Sequence, residues 1–367
     1  MSELHSSGDL PTECGSAFEA VKREYFVPDR MWVQEEDDGP YEPVDRAEEP
    51  GRWVNNVYSD RVIVTQFDDG ATVWPHVGRR PTSSASMPSA VAGMLGAAGA
   101  RPGESVLEIG TGTGYNAALL AELVGPAGSV TSLEIDHSVG TTARRNLEAA
   151  GYRGVEVEIR DAAVATGRYF DRIIATVGVH LGQLPYWWVE SAKVILAPMR
   201  ADLASGPLVR FEVDAGSARG RAVGVRVGFM EMRSQRVRSM YTGNLRWDDE
   251  KADVSTTDVN PFAVLLNESS RWAASVAVPS CRYDLEKPTD KRNHGVAWLV
   301  DPISHSWASI VPEDDDTFTV RQYGPRRLWA AVENAYQWWQ RNGEPAIEEW
   351  EWKITSERQS IGLPTPQ

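Results

Sequence analysis

The stretch Val106-Leu107-Glu108-Ile109-Gly110-Thr111-Gly112-Thr113-Gly114-Tyr115 decides how this chain folds. The apolar residues before the first glycine predict a buried parallel strand, because such strands are covered on both faces. Helix formers with apolar side chains at helical spacing follow over 116–124, and Gly125 and Pro126 end that helix. A strand that passes through glycines into a helix lets a ligand approach bare backbone at the helix N-terminus.

A second strand, which ends in acidic residues, follows this helix. It covers 130–136 and contains Glu134, which lies 20 residues after Gly114. At this spacing a carboxylate meets the hydroxyls of a ribose in dinucleotide-binding folds. The sequence therefore predicts a nucleoside-binding strand–helix–strand unit.

Two cofactor classes compete for this unit. The residues from Gly112 to Ala117 fit the dinucleotide pattern G-x-G-x-x-G/A, which is typical of a nicotinamide-dependent oxidoreductase. However, Glu108 stands two residues before Gly110, where a carboxylate would repel a pyrophosphate and attract a cation. S-adenosylmethionine carries an ammonium and a sulfonium and has no phosphate, so the acid favours this methyl donor. A tight turn that binds nothing would leave both acids unexplained.

The composition of the chain limits the kinds of partner and site that are expected. The net charge of −15 argues against a broad nucleic-acid or anionic-membrane surface. The two cysteines, Cys14 and Cys281, belong to no motif, which indicates a reducing, cytoplasmic setting. The six histidines show no ligand spacing, so we predict no metal site. The longest run of small apolar residues, 90–100, is too short to span a bilayer.

Alternating strands and helices continue after the glycine loop. Strands are predicted at 155–159, 171–176 and 194–196, with a helix over 138–150. This alternation predicts an α/β fold with a Rossmann-like, doubly wound, mostly parallel sheet. We divide the chain into an N-terminal helical cap and substrate-side segment (1–88), a cofactor-binding domain (89–230) and an α+β C-terminal extension (231–367). The valines of 223–229 predict strands that finish the sheet.

The C-terminal extension is rich in tryptophan. The residues from 241 onward hold nine of the fourteen tryptophans of the chain. An amphipathic helix is predicted over 325–340 and an alternating strand over 349–354. The aromatic residues form either a hydrophobic core or a peptide-recognition surface, since rigid aromatic side chains anchor interfaces.

Hydroxyl residues precede the helix that leads into the glycine strand. Thr82, Ser83, Ser84 and Ser86 lie within five positions. Such residues commonly cap a helix and form a solvated turn. Because this helix runs straight into the cofactor strand, the same hydroxyls are alternatively predicted to line the mouth of the site.

Three motifs in order carry a family resemblance. The segments 20–28 (AVKREYFVP), 82–85 (TSSA) and 107–115 (LEIGTGTGY) resemble protein L-isoaspartate O-methyltransferases. They are more similar to the extended actinobacterial members associated with ribosomally made lanthipeptides and graspetides. The family motif Thr-x-Ser-x-Pro is matched at Ser84, but Ser86 occupies the proline position. This departure favours tailoring of a modified precursor peptide over general isoaspartate repair.

The resemblance implies roles for particular residues. It implies that Ser84, with Thr82 and Ser83, orients the acceptor carboxylate. It also implies that Asp161 contacts adenine, although a turn cap explains this residue equally well. The complete set expected to bind S-adenosylmethionine is Glu108, Gly110, Thr111, Gly112, Thr113, Gly114, Glu134, Ile135, Asp161, Ala162 and Thr176.

The chemistry implied by the resemblance is carboxyl methylation. A carboxylate with a pKa of about 4 is already ionised at neutral pH and needs no general base, so His180 is more simply explained as a solvated loop residue. The methyl ester of an aspartate or isoaspartate would close to a succinimide (aspartimide), which hydrolyses to Asp or isoAsp. Affinity for an acidic peptide is expected to come from a shaped groove or from local arginines such as Arg79 and Arg80. A peptide-binding module without catalysis remains an alternative, and no oligomeric state is predicted.

Overall fold

The structure is a computed structural model that describes residues 10–36, 39–237, 245, 250–288, 295–313 and 316–364. The start of the predicted N-terminal segment and parts of the predicted C-terminal extension lie outside these residues. Described residues form three β-sheets. The helices are α1 Gly15–Ala20, α2 Pro50–Val57, α3 Pro88–Ala98, α4 Tyr115–Val124, α5 His137–Ala149, α6 Tyr186–Glu190, α7 Pro261–Leu266, α8 Glu268–Ala277 and α9 Leu328–Arg341.

The N-terminal segment contains a sheet as well as the predicted helices. Its antiparallel strands are β1 Arg30–Val33, β2 Glu42–Asp45, β3 Ile63–Phe67 and β4 Pro81–Ala85, in the order β2-β1-β3-β4. The buried guanidinium of Arg23 joins the end of α2 to the residue that follows β4. It donates to the carbonyl of Val57 at 2.8 Å and to that of Ser86 at 2.8 Å, and burial lowers its pKa to about 10. The hydroxyl residues are thereby held at one edge of the sheet.

The central sheet has ten strands. They are β5 Ser105–Ile109, β6 Ser129–Glu134, β7 Glu156–Ile159, β8 Phe170–Ala175, β9 Val179–His180, β10 Ala192–Arg200, β11 Leu208–Asp214, β12 Ser217–Ala222, β18 Glu351–Ile354 and β19 Gln359–Gly362. The order is β19-β18-β12-β11-β10-β8-β5-β6-β7, with β9 paired to β10. Strands β5, β6, β7, β8 and β10 are parallel, and β11, β12, β18 and β19 continue the sheet antiparallel.

The predicted doubly wound, mostly parallel sheet is confirmed. Strand β5 lies between β6 and β8, so the chain leaves β5 in one direction and later returns on its other side. Ligands bind at such a switch point, beyond the carboxyl ends of the strands. The glycine loop follows β5 directly, and its apolar residues Val106, Leu107 and Ile109 are buried.

The predicted strands over 223–229 are wrong. Strand β12 pairs with β18 through Gly220 and Trp352, so the edge that these valines would have extended is already taken. The chain instead leaves the sheet after Ala222. Val225 packs on α3, where a Cβ added to Gly93 would lie 2.8 Å from its Cγ1. The segment that follows runs to the cofactor end of the sheet.

The C-terminal extension forms a third sheet and also completes the central one. Its antiparallel strands are β13 Asp253–Thr257, β14 Arg282–Glu286, β15 Val296–Asp301, β16 Ser306–Pro312 and β17 Phe318–Tyr323, in the order β13-β17-β16-β15-β14. The predicted amphipathic helix is α9, which begins at Leu328, and the predicted alternating strand is β18. Because β18 and β19 belong to the central sheet, the extension is packed into the rest of the chain.

Most tryptophans of the extension are core residues, so the core interpretation is confirmed for them. Trp247 lies outside the described residues, and Trp338 is 37% exposed. Trp272 packs on Trp350 and Trp352, which joins α8 to β18. The buried tryptophans are Trp272, Trp298, Trp307, Trp329, Trp339, Trp350 and Trp352.

The structure shows the state of the two cysteines and the character of the described helices. Cys14 and Cys281 are both buried and unpaired. Burial raises the pKa of the Cys14 thiol to about 11, which keeps it protonated. Among the described helices, none has the length and apolar character needed to cross a bilayer.

Candidate active site

A cavity of about 600 Å³ lies at the carboxyl ends of the central strands. It collects most of the residues predicted for the site, although these come from five separate parts of the chain. Glu108 and Gly114 are the predicted residues that do not line it. Those that do are Thr82, Ser83, Ser84, Gly110, Thr111, Gly112, Thr113, Glu134, Ile135, Asp161, Ala162 and Thr176.

The glycine loop requires positive φ angles. Gly110 and Gly112 have φ values of +96° and +53°, a region that residues with a Cβ rarely adopt. A Cβ added to Gly112 would lie 3.3 Å from the carbonyl oxygen of Ser84. The glycine loop therefore packs directly against β4, and this contact brings the loop next to the hydroxyl residues. The Thr176 hydroxyl holds the other side of the loop by donating to the Gly110 carbonyl at 2.6 Å.

Glu134 presents a carboxylate to the cavity. Its Oε2 accepts from the backbone N–H of Gly112 at 3.0 Å, and its Oε1 accepts from that of Asp136 at 3.0 Å. The residue is 8% exposed, and burial raises the pKa of its carboxyl. Each carboxylate oxygen accepts more than one hydrogen bond, so both retain capacity for the hydroxyls of a ligand.

Glu108 lies behind the loop and has no exposed surface. It accepts hydrogen bonds from the Ser132 hydroxyl and from Asn116 Nδ2, the latter at 2.7 Å. Asn116 does line the cavity. Glu108 therefore does not face the cavity itself and is linked to the cavity wall through its hydrogen bond with Asn116. Burial raises the pKa of Glu108 to about 7.

This raised pKa predicts a pH-dependent stability. A carboxyl whose pKa is higher in the folded state than in the unfolded state stabilises the fold below the unfolded pKa, here 4.5. That contribution is lost as the pH rises through about 7. Between pH 5 and pH 8 we expect Glu108→Gln to gain about 2–3 kcal/mol in free energy of unfolding relative to the parent protein. Denaturant titrations of both proteins at the two pH values measure this difference, and parallel pH profiles would contradict it.

The three predicted hydroxyl residues are not equivalent. Thr82 Oγ1 donates to Gln66 Oε1 at 2.8 Å, so its proton is already used. Ser83 Oγ accepts from Thr65 Oγ1 at 3.1 Å. Within the described parts of the chain, the Ser84 hydroxyl has no hydrogen-bond partner, and Ser84 is half-buried on the cavity wall. Ser84 is therefore the hydroxyl that is available to a ligand.

The capping interpretation of these hydroxyls is wrong. Thr82, Ser83 and Ser84 belong to β4, which pairs with β3. The N-cap of α3 is Met87, and it makes no side-chain capping bond. Pairing with β3 draws the hydroxyl residues into the sheet, three residues too early to cap the helix.

Residues 226–236, which we name the cover segment, form another wall of the cavity. Gly178 anchors this segment beside the loop after β8: its N–H donates to the Met230 carbonyl at 2.8 Å. Arg233 donates to Asp136 Oδ2 at 2.9 Å and to Gln66 Oε1 at 3.1 Å. The cover segment thus joins the N-terminal sheet to the end of β6.

The acid at this junction is held ionised. Burial alone would raise the pKa of Asp136, but hydrogen bonds from Gln66, Ser138 and the backbone of Val139, with Arg233, hold it well below its usual range. Asp136 also caps α5 by accepting from the N–H groups of Ser138 and Val139. The strand end that carries Glu134 is therefore rigidly placed.

Asp161 and His180 differ in their position relative to the cavity. Asp161 lines the cavity and also caps a turn, since its Oδ1 accepts from the N–H of Ala163 at 2.9 Å. Both interpretations of Asp161 are thus compatible with its position. His180 is buried rather than solvated, and its Nε2 lies 3.3 Å from Glu231 Oε2. It does not line the cavity.

Several site residues were missed from the sequence. Asn116 carried a signal, because it stands two residues after the last glycine at the start of α4. Arg200, Glu231, Arg233 and Arg236 carried none, since they lie after the predicted alternation and reach the cavity only through tertiary packing. Of the two arginines expected to attract a peptide, Arg80 lines the cavity and Arg79 does not. Among the residues that the structure describes, no cluster of three His, Cys, Asp or Glu side chains is placed to hold a metal ion.

Known proteins match the part of the chain that carries the glycine loop and the hydroxyl residues. Residues 42–193 match the family model of protein-L-isoaspartate(D-aspartate) O-methyltransferase. The protein-L-isoaspartate O-methyltransferase of Ignicoccus hospitalis is 44% identical over 93 residues, which cover 25% of this chain and 44% of that protein. That of Thermotoga maritima is 35% identical over 139 residues, which cover 37% of this chain and 40% of that protein. The chain thus spans less than half the length of these curated relatives.

The fold of the whole chain also has a counterpart. A solved structure named protein-L-isoaspartate O-methyltransferase covers 99% of this chain, and 98% of its own length, with a TM-score of 0.54 and 20% identity. At this identity the likeness concerns the fold alone, and it includes the C-terminal extension. Residues 42–193 are thus similar to protein-L-isoaspartate O-methyltransferases, and the chain shares with the solved structure an α/β fold around a mostly parallel central sheet.

Proposed function

We propose that this protein is an S-adenosylmethionine-dependent O-methyltransferase that esterifies the free carboxylate of isoaspartyl residues in proteins or peptides. One observation carries the proposal: the glycine loop packs on β4 at Ser84, with Gly112 next to the Ser84 carbonyl. A donor seated on the loop and an acceptor bound at the Ser84 hydroxyl would therefore meet in one cavity. The family match of residues 42–193 supports the same activity.

The cavity suits this methyl donor better than a dinucleotide. Glu134 offers a carboxylate for a ribose diol, and Asp161 lines the same cavity. Asn116 and Glu108 provide negative polarity next to the loop, which favours a cationic donor and disfavours a pyrophosphate. When bound, S-adenosylmethionine supplies an activated methyl group on a sulfonium, which leaves as a neutral thioether, S-adenosylhomocysteine.

The chain's own task is positioning. The acceptor carboxylate is ionised at neutral pH, so an oxygen attacks the methyl carbon without proton transfer. The Ser84 hydroxyl can donate one hydrogen bond that orients this oxygen. A neutral donor suits the role, because a cation held against the acceptor would stabilise the charged ground state more than the transition state. The cover segment and β4 enclose the reacting groups and limit water access.

Isoaspartate repair takes precedence over peptide tailoring. The curated relatives are protein-L-isoaspartate O-methyltransferases, and nothing in the matches supports the lanthipeptide and graspetide branch that the resemblance suggested. The methyl ester would then be attacked by the next backbone nitrogen, which closes a succinimide and expels methanol. Hydrolysis of this ring yields aspartate or isoaspartate. An enzyme of general repair should methylate unrelated isoaspartyl peptides at comparable rates, whereas a tailoring enzyme should methylate a single precursor.

Replacement of Ser84 tests the acceptor site. We expect Ser84→Ala to lower kcat about 10–100-fold, since it removes the hydroxyl that orients the acceptor. The dissociation constant of S-adenosylhomocysteine should change less than about twofold, because Ser84 contacts the loop through its carbonyl. Initial rates with an isoaspartyl peptide and calorimetry with S-adenosylhomocysteine measure the two quantities.

Ser89→Ala provides the matched control. Ser89 lies in the first turn of α3 and does not line the cavity, so this variant should retain the parent rate. A Ser84→Ala protein with parental kcat would remove Ser84 from the proposed mechanism. Loss of S-adenosylhomocysteine binding in the same protein would assign the serine to the cofactor instead of the acceptor.

A further inference from the structure

Three arginines of the cavity wall surround one acid. Arg80 Nη1 lies 3.8 Å from Glu231 Oε1, Arg200 Nε lies 3.8 Å from Oε2, and Arg236 Nε lies 3.7 Å from Oε1. We name Arg80, Arg200 and Arg236 the arginine cluster. All three and Glu231 line the cavity. Glu231 faces all three guanidinium groups, and Asp69 pairs with Arg236. Two carboxylates thus meet three arginines, so the cluster carries excess positive charge.

The pairing within the cluster is also incomplete. Each distance to Glu231 exceeds that of a hydrogen bond. The Nε atoms of Arg200 and Arg236 are buried and have no hydrogen-bond partner among the described residues. Arg236 is held on its other side, since its Nη1 donates to Asp69 Oδ2 at 2.7 Å. For the side chain of Arg200, which is 39% exposed, the described residues offer Glu231 alone.

Neighbouring charges do not cancel this excess. The Nε2 atom of His180 lies 3.3 Å from Glu231, and its other ring nitrogen lies 3.7 Å from Asp202. Asp202 is itself paired with Arg282 at 3.2 Å. The other arginines that line the cavity are occupied: Arg160 pairs with Glu158, Arg226 with Glu268 and Arg233 with Asp136. Arg200 and Arg80 are therefore the wall cations with the weakest protein partners.

An isoaspartyl residue inside a peptide has one free carboxylate, and the proposed mechanism uses it as the acceptor. A second anion must come from a neighbouring residue. Guanidinium groups bind carboxylates through paired, charge-assisted hydrogen bonds. Because the chain as a whole carries a net charge of −15, it repels acidic peptides at long range, and the cluster supplies a local exception.

We propose that the arginine cluster binds a carboxylate side chain close to the methylated residue, so that the enzyme prefers isoaspartyl peptides with an acidic neighbour. This inference rests on the proposed function. Arg200 and Arg80 make the contact, and Arg236, fastened to Asp69, keeps Glu231 between them. Glu231 spaces the guanidinium groups and prevents them from repelling one another.

Matched peptides test the preference. In a series of isoaspartyl peptides, Glu is placed in turn at each position within about three residues of the isoaspartate, a span set by the reach of an extended chain. Each peptide has a partner with Gln at the same position. For at least one pair, the parent enzyme should show a KM about tenfold lower with Glu, with equal kcat, as one charge-assisted contact would produce. Arg200→Gln should abolish this difference by raising KM for the Glu peptide.

Arg79→Gln is the control. It removes the same charge from an exposed neighbour of Arg80 that does not line the cavity, so it should keep the preference. Thermal unfolding and S-adenosylhomocysteine affinity establish that each variant is folded, and Arg80→Gln replaces Arg200→Gln if the latter does not fold. Equal KM values for every Glu and Gln pair, or a preference that survives in both cluster variants, would overturn the inference and leave the proposed function intact. A parent protein that methylates no isoaspartyl peptide would overturn both.

Discussion

Glu134→Gln should weaken the binding of S-adenosylhomocysteine about 100-fold, or by about 3 kcal/mol, while the protein stays folded. The carboxylate accepts from the N–H groups of Gly112 and Asp136 and faces the cavity. The glutamine amide has only one oxygen that can accept hydrogen bonds. Its NH₂ group must therefore face a backbone N–H or the ribose at a position where the carboxylate offers an acceptor. Two charge-assisted hydrogen bonds to the ligand are lost or weakened. Calorimetry with the purified variant measures the change.

Glu156→Gln is the matched control for this prediction. Glu156 lies on β7, the strand next to the one that carries Glu134, and it does not line the cavity. It should bind S-adenosylhomocysteine like the parent protein. Because burial raises the pKa of Glu134, a neutral side chain there relieves a desolvation cost and should not lower the melting temperature. Parental affinity in a folded Glu134→Gln protein would exclude Glu134 from the donor site.

Gly110→Ala should destabilise the fold by about 3–5 kcal/mol and abolish S-adenosylhomocysteine binding. The backbone of Gly110 has a φ of +96°. An added Cβ would lie 2.7 Å from Thr176 Oγ1 and 2.8 Å from Val177 Cγ1. The Thr176 hydroxyl donates to the Gly110 carbonyl, so it cannot move aside without losing that bond. Denaturant unfolding and calorimetry measure the two effects.

The control separates backbone strain from the clash. Gly151 has a φ of +92°, and an added Cβ there would meet no atom within 4 Å. Gly151→Ala should therefore cost only about 1–2 kcal/mol and leave S-adenosylhomocysteine binding unchanged. Equal losses of stability in the two variants would show that strain alone matters. In that case the contact with Thr176 would not shape the loop.

The sequence by itself predicted the part of the cavity that the glycine loop forms. The apolar residues of β5, the glycines after it and the start of α4 are local signals within a single stretch, and their conformations follow from hydrophobic burial and backbone sterics. The position of Glu134 followed from its distance along the chain. The parallel sheet order could also be predicted, because alternating strands and helices leave few possible topologies.

Other features were decided only by tertiary structure. The sequence predicts a helix cap for the hydroxyl residues, but they lie in a strand because β4 pairs with β3. Only the hydrogen bonds distinguish the free Ser84 hydroxyl from that of Thr82, which donates to Gln66. The alternation of side chains along β5 places Glu108 on one face of the central sheet. Its burial and its hydrogen bond with Asn116 depend on the elements that cover this face.

The most distant contacts were the least predictable. Strand β18 completes the central sheet next to β12, which displaces residues 223–229 towards the cavity. The arginine cluster combines Arg80, which directly precedes β4, with Arg200 of β10 and Arg236 of the cover segment. No local pattern marks such residues, because their proximity arises from the packing of separate elements and not from spacing along the chain. Sequence periodicity therefore predicted most elements of the parallel sheet, and the packing of separate elements decided which charged groups face the cavity.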